Sequence, residues 1–403
     1  MSVHNPFGPP GEAITDPNAT PSDRPPGHGP LSTLHELPGS IPFEAAPKPP
    51  AALLAFSQLA EPKLREFLDQ KRVEARELPV DLWPAFAATR DYVLRGGKRL
   101  RGALVLLGNE AGNGLRDAAL PAALGVELLH AYLLVHDDFM DRDELRRGAP
   151  TLHILLGEKA ALDVRGTLVA AGEHVGGSLA LLFGSLLQAW AIDLVLSSPV
   201  IPERRLAAGR LLARALAEVT VGQALDLAAP LGAPLGAEGT LEIERLKTGS
   251  YTFEMPLLLG AHLAGAEPRV LEALSRFARP LGQAFQIVDD LLGVFGAPAV
   301  TGKSAGGDLR EGKRTLIVLR ALEEARGEDL AHLHRDLGRR DMNDREVDAL
   351  RALLRRLGAE SRAKEEAHEL AEQARAALDT TLIPDQVATQ LEELAVYTVE
   401  RTN

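Results

Sequence analysis

The sequence predicts an all-α protein, one large helical bundle around a central cavity. From about Ala51 onward, apolar residues recur at three- and four-residue spacing, which is the helical period. Alternating runs of β type are nearly absent. Breaks fall at Gly/Pro clusters such as "APLGAPLGAEG" (229–239) and "FGAPAVTGKSAGGD" (295–308). A chain of 403 residues can bury a large core, and with aromatics at only 4% that core must be mostly Leu, Ala and Val.

Taken in order, residues 1–50 hold 13 of the 27 prolines without any sustained apolar period, and are expected to be a disordered tail. Residues 51–403 are expected to form a single all-α domain. Within it the helical period covers 51–74, 81–95 and 98–112, the last following the Gly pair of "RGGKRLRG". It continues over 116–142, whose apolar turns run into acidic residues, and over 158–174 and 176–197. The stretch 176–196 is the longest apolar run, but Ser185, Gln188 and Asp193 interrupt it. It fits a buried central helix better than a membrane span. Helices are further predicted over 202–228, 241–264, 267–296, 313–326, 344–357 and 360–379.

Composition narrows the function. There are no cysteines, which excludes disulfides, Cys-ligated zinc and a thiol nucleophile. A net charge of −12 opposes nonspecific binding to nucleic acid or to an anionic membrane surface. No secretory signal opens the chain, so a soluble, cytoplasmic protein is expected.

The chemistry gathers at two acidic helix ends. In "LLHAYLLVHDDFMDRDELRRG" (128–148), Asp137 and Asp141 share a helix face about 6 Å apart along the axis, while Asp138 lies about 100° round. Two carboxylates on one face repel, and a divalent cation removes that cost. Hard oxygen ligands with room for water and phosphate suit Mg²⁺. A lone pair of this kind is usually a solvated helix end. Here the preceding turns, Leu128 to Val135, are almost wholly apolar, which embeds the helix. In "GQAFQIVDDLLGVFG" (282–296), Asp289 and Asp290 repeat the arrangement, and Lys303, Asp308, Lys313 and Arg314 follow. Two such ends facing each other would make a multi-metal site with a cationic rim, suited to a diphosphate. Lys98, Arg99 and Arg101, with Lys247 and Thr248 at the start of another apolar segment, add further cations and a hydroxyl.

These residues carry a family resemblance. Across roughly residues 80–320 the chain resembles a trans-isoprenyl diphosphate synthase of the polyprenyl synthetase family. The motifs come in that family's order: GGKRLR, DDxxMD with RRG, GQxxD (Gly222, Gln223, Asp226), KTGSYTF, FQIVDD, then GK…DLREGKRT. The resemblance implies the isoprenoid synthase type of helical bundle. It also implies condensation of isopentenyl diphosphate with an allylic diphosphate (dimethylallyl, geranyl or farnesyl), three magnesium ions, and a homodimer. Asp137 and Asp141 correspond to magnesium ligands with Asp138 in support, and Asp289 to the ligand of a further ion with Asp290 beside it. Arg146, Lys247 and Lys303 correspond to residues gripping the allylic diphosphate. Lys98, Arg101, His130 and Arg147 match the isopentenyl diphosphate pocket, Lys313 is placed with the substrate-binding cations, and Thr248 and Gln286 match residues near the developing carbocation.

Two departures stand out. Where many relatives carry a third Asp, four residues after Asp289, this chain has Gly293, so either water or Asp290 is expected to compensate. Ser185 stands where relatives often carry Asp. Product length is set in this family just before the first acidic motif, at Tyr132 and Leu133 here. One bulky residue there resembles the geranylgeranyl (C20) type, with farnesyl or longer-chain synthesis as the alternative. An inactive regulatory subunit would typically lose an Asp-rich motif, and a terpene cyclase has no use for the second basic pocket. A helical scaffold protein would explain neither acidic end.

Overall fold

A computed structural model describes residues 48–77, 82–163, 169–228, 239, 242–243, 245–296 and 306–401. The predicted tail lies outside the described residues except for its last three. Pro47–Asn403 form one compact unit.

The fold is all-α. Helices α1 (Ala51–Glu74), α2 (Trp83–Leu94), α3 (Leu100–Ala111) and α4 (Arg116–Met140) open it. A two-stranded hairpin, β1 (Leu145–Arg146) and β2 (Ala149–Pro150), follows α4. Then come α5 (Leu152–Asp163), α6 (Val169–Leu196) and α7 (Pro202–Ala228). A π-helix, Arg245–Glu254, runs directly into α8 (Met255–Ala264), and α9 (Pro268–Phe295) follows. The C-terminal part holds α10 (Gly307–Glu311), α11 (Leu316–Glu324), α12 (Gly327–Asp336), α13 (Asp344–Arg356), α14 (Ala359–Ala376) and α15 (Asp385–Glu400).

Helix α4 packs between α3 and α6, α8 against α3, and α9 against the π-helix and α14. With so few aromatics the helices approach closely through small residues. A Cβ on Gly108 of α3 would stand 1.9 Å from the Leu257 carbonyl oxygen of α8, and one on Gly260 of α8 would stand 1.9 Å from that of Val105. The two backbones touch there because neither position carries a side chain. The main core gathers Phe56, Leu104, Leu128, Phe253 and Phe277, all buried. A second core lies under α9, α11, α13 and α14, around Val294, Ile317 and Leu350. Asn343 and Glu346 close a capping box at the start of α13, with bonds of 3.1 and 2.8 Å.

Several expectations are corrected. No break separates 174 from 176, because α6 runs through it. Its Gly176 and Gly177 are packing contacts rather than terminators, pressed against the Gly157 backbone and the Phe139 ring. The segment 241–264 is two elements, since the wide turns of 245–254 precede α8. Helices α12 and α15 were not anticipated; α12 is short, with Leu330 and Leu333 as its large apolar residues, whereas α15 buries Val387, Leu391, Leu394 and Tyr397. The predicted buried central helix is only partly so. Arg116–Met140 and Gly172–Leu196 are both long and apolar enough to cross a membrane, with 61% and 33% of their apolar windows buried in the protein. On α6, Leu182, Ile192 and Leu196 are exposed. Apolar periodicity shows that a face is greasy, not which chain covers it.

Candidate active site

Asp137 and Asp141 come together at the C-terminal end of α4, as their spacing requires. Carboxylates there oppose the helix's own negative pole and need cations. Lys247 Nζ stands 3.5 Å from Asp137 Oδ1, and Lys313 Nζ 3.4 Å from Asp141 Oδ2. Burial, then the neighbouring Asp137 charge, raises the Asp141 carboxyl above its usual range. Burial alone would lower the Lys247 pKa, but the Asp137 and Asp226 carboxylates outweigh it and keep the ammonium charged. Asp226 on α7 fixes Lys247 at 2.7 Å. The π-helix puts Lys247 in reach of both partners, and Gly222 lets its backbone approach α7, since a Cβ there would stand 2.5 Å from the Lys247 nitrogen.

The structure gives Asp138 a task other than the metal support expected of it. It is 1% exposed; Tyr92 Oη donates to one oxygen at 2.6 Å and Arg146 Nε donates to the other. Asp138 therefore orients Arg146, whose Nη2 reaches to 4.0 Å from Asp137 Oδ2. The 100° offset along the helix is the reason.

On α9 the second pair divides in the same way. Asp289 is partly open and pairs with Arg401, at 2.6 Å, just beyond α15. Arg401 also donates to the Phe285 carbonyl at 3.0 Å and lies 3.9 Å over that ring. Asp290 is buried, and Gln286 donates to it at 2.8 Å. Gln286 is thus spent on Asp290 in this structure, and Asp290 is turned from the open side of the helix.

Arg101 donates to Thr252 Oγ1 at 2.9 Å and stacks 4.4 Å over Tyr251, whose hydroxyl is 2.9 Å from His130 Nδ1. Burial, reinforced by the Arg101 and Arg147 charges, holds the His130 pKa well below its ordinary value, so the imidazole is neutral. Arg147 donates to the Gly96 carbonyl, and its Nη2 would lie 2.7 Å from a Cβ on Gly97, a residue at φ +129°. Only glycine fits at 97. The GGKRLR loop and the RRG hairpin are thus one construction. Lys98 lies 5.5 Å over Tyr397, and burial followed by the Arg401 charge brings its pKa down to about 8. Lys313 holds Asp141, Asp308 at 3.5 Å and Glu311 at 3.0 Å.

Lys303 and the Thr248 side chain lie outside the described residues. Tyr132 meets His136 edge-on at 4.6 Å, and His136 lies 3.1 Å from the Leu181 carbonyl, so the tyrosine faces the α4–α6 seam. Leu133 packs against the main core. Sequence reasoning missed Arg401, Tyr92, Tyr251 and Glu127. Buried Glu127 accepts from the Gly102 amide at 2.8 Å and pairs with Arg99 at 3.6 Å, anchoring the start of α3. Asp226 stood in the quoted GQxxD motif; Arg401 carried no local signal.

Among the described residues, no three acidic or histidine side chains converge tightly enough to hold a metal by themselves. The carboxylates present still suit a hard cation. They are oxygen donors now matched to Lys247, Lys313 and Arg401, and Mg²⁺ typically takes one or two carboxylates and completes its shell with substrate phosphate and water.

A sequence profile of the Polyprenyl synthetase family matches residues 84–354. The chain belongs to the polyprenyl synthetase family. It is a trans-prenyltransferase of the all-α fold. Among its relatives, geranylgeranyl diphosphate synthase of Methanosarcina mazei is 38% identical over 240 residues, 59% of this chain and 68% of that protein. The (2E,6E)-farnesyl diphosphate synthase of Mycobacterium tuberculosis is 35% identical over 310 residues, 76% and 80%. The crystal structure of geranylgeranyl pyrophosphate synthase from Corynebacterium glutamicum, complexed with isoprenyl diphosphate and magnesium, superposes with a TM-score of 0.81. It is 34% identical, over 87% of this chain and 99% of that one.

Proposed function

We propose that this polyprenyl synthetase joins isopentenyl diphosphate to an allylic diphosphate with magnesium and makes geranylgeranyl diphosphate. The observation that carries the reading is the pairing of Asp137 and Asp141 with Lys247 and Lys313, together with a second acidic end at Asp289 paired with Arg401. Carboxylates and ammonium ions interleaved in this way suit a metal–diphosphate complex, which replaces one set of charges with another. Magnesium, three ions by family likeness, would be held by Asp137, Asp141 and Asp289 and would stabilise charge on the departing diphosphate. Lys247, and Arg146 held by Asp138 and Tyr92, add fixed positive charge where that negative charge grows. Arg101, Arg147 and Lys98 form the cationic seat for isopentenyl diphosphate. Leu-rich helix faces keep water from the cation formed by ionisation.

The exposed apolar residues of α6 and α7, including Leu182, Ile192, Leu206 and Val221, support a homodimer through these helices. A soluble, cytoplasmic enzyme accords with that reading. The test is product chromatography after incubation with isopentenyl diphosphate, magnesium and C5, C10 or C15 primers. A C20 product from all three is expected. A C15 end product would favour the farnesyl reading that the mycobacterial relative raises. Absence of magnesium-dependent diphosphate release would overturn the activity itself.

A further inference from the structure

Gly293 sits inside α9, one turn after Asp289, where an unneeded glycine weakens a helix by about 1 kcal/mol relative to alanine. Its backbone is not among those with positive φ, so conformation does not demand glycine. Space does. A Cβ built on Gly293 would stand 2.1 Å from Asp308 Oδ2, 3.2 Å from Cγ and 3.9 Å from Oδ1. The three nearest atoms are thus the whole carboxylate of Asp308, brought in by the short helix α10 from fifteen positions further along the chain. Residues four apart share a helix face, so this carboxylate lies where a side chain one turn beyond Asp289 would begin.

Its other contact points across to α4. Asp308 Oδ1 is 3.5 Å from Lys313 Nζ, the same ammonium that holds Asp141 and Glu311. Among the described residues three carboxylates share this one lysine, as they would if a further cation belonged there. A group needed only to fill the notch beside Gly293 would be apolar, and alanine at 293 would fill it more simply.

We propose that Asp308 is the missing acid of the second cluster, reaching over Gly293 to face the metal–diphosphate complex with Asp289. This rests on the magnesium-dependent reading above. A carboxylate added at 293 alone would collide with the one already there.

The test is Mn²⁺ binding in the presence of inorganic diphosphate, read from the loss of the free-ion electron paramagnetic resonance signal, with helical circular dichroism as the check on folding. Asp137→Asn serves as reference. If it binds Mn²⁺ as the wild type does, the metal reading of the whole site is overturned, and this inference with it. If it weakens binding, Asp308→Asn is expected to weaken it too, by about tenfold. Gly293→Ala is expected to act in the same direction, because its methyl displaces the carboxylate without removing it. Asp308→Ala should lose binding, and Gly293→Asp/Asp308→Ala should recover most of it by returning the acid to the helix. Wild-type affinity in Asp308→Asn, with Asp137→Asn impaired, would overturn the inference alone. A double variant no better than Asp308→Ala would do so as well.

Discussion

The two acidic ends look alike as sequence and differ as structure. On α4, Asp137 and Asp141 both face the site from one helix, and their counter-cations come from the π-helix and from Lys313. On α9, Asp289 alone is open, its counter-cation comes from the far C-terminus, and a carboxylate on another helix lies beside Gly293. In each pair the adjacent acid, Asp138 or Asp290, is buried and bound to a neighbour. The lesson is that the acids of such an end can come from one helix or from two, while the counter-cations of both ends come from distant chain.

The largest expected contrast comes from removing the open carboxylates. Asp137→Ala should lower kcat by about a thousandfold or more, as loss of several kcal/mol of leaving-group stabilisation implies, with helical content unchanged. Asp289→Ala should cost less, about a hundredfold, if Asp308 shares its load. Steady-state kinetics at saturating magnesium decide it, and near-wild-type turnover in either variant would sink the assignment of that carboxylate.

Next in size is the division of cations between the two substrates. Lys247→Ala should act mainly on kcat, because its charge stabilises the departing diphosphate. Arg101→Ala should mainly raise the KM for isopentenyl diphosphate, by about tenfold, since a charged hydrogen bond contributes about 1.5 kcal/mol or more. A change in the same parameter for the same substrate in both variants would break the partition.

Arg401→Ala should act first on the second end. It frees Asp289 and should lower the magnesium concentration for half-maximal rate by up to about fivefold, since a partly exposed pair contributes at most about 1 kcal/mol. The same variant bears on pH. Lys98 has its pKa brought down to about 8 by burial and the Arg401 charge, so its positive charge is lost as pH rises through that value. The KM for isopentenyl diphosphate should therefore climb above pH 8 in the wild type. In Arg401→Ala the rise should move to higher pH, and an unmoved profile would remove Lys98 from the seat.

The smallest effect on rate is expected at Tyr132. Tyr132→Ala should leave the first condensation within about twofold, while moving products from C20 toward C25 or longer. Tyr132 packs against the main core, and each CH₂ of a longer product buried there adds about 0.8 kcal/mol. An unchanged product distribution would place the stop on another helix.

The sequence by itself determined the fold class, the helical spans from Ala51 to Ala228 apart from the α5–α6 joint, and the shared helix face of the carboxylates at 137 and 141. Periodicity and spacing are local quantities, and a helix converts them directly into faces. It also placed Lys247 beside a quoted Asp226 without revealing that the two would touch. Tertiary structure decided the rest. It selected which acid of each Asp pair is buried, because that depends on which helix packs alongside. It brought Arg401 onto Asp289 across 112 positions and set Asp308 against Gly293. Such contacts leave no periodic trace in the chain, because packing several helices together, and not the geometry of any one of them, brings those groups into reach.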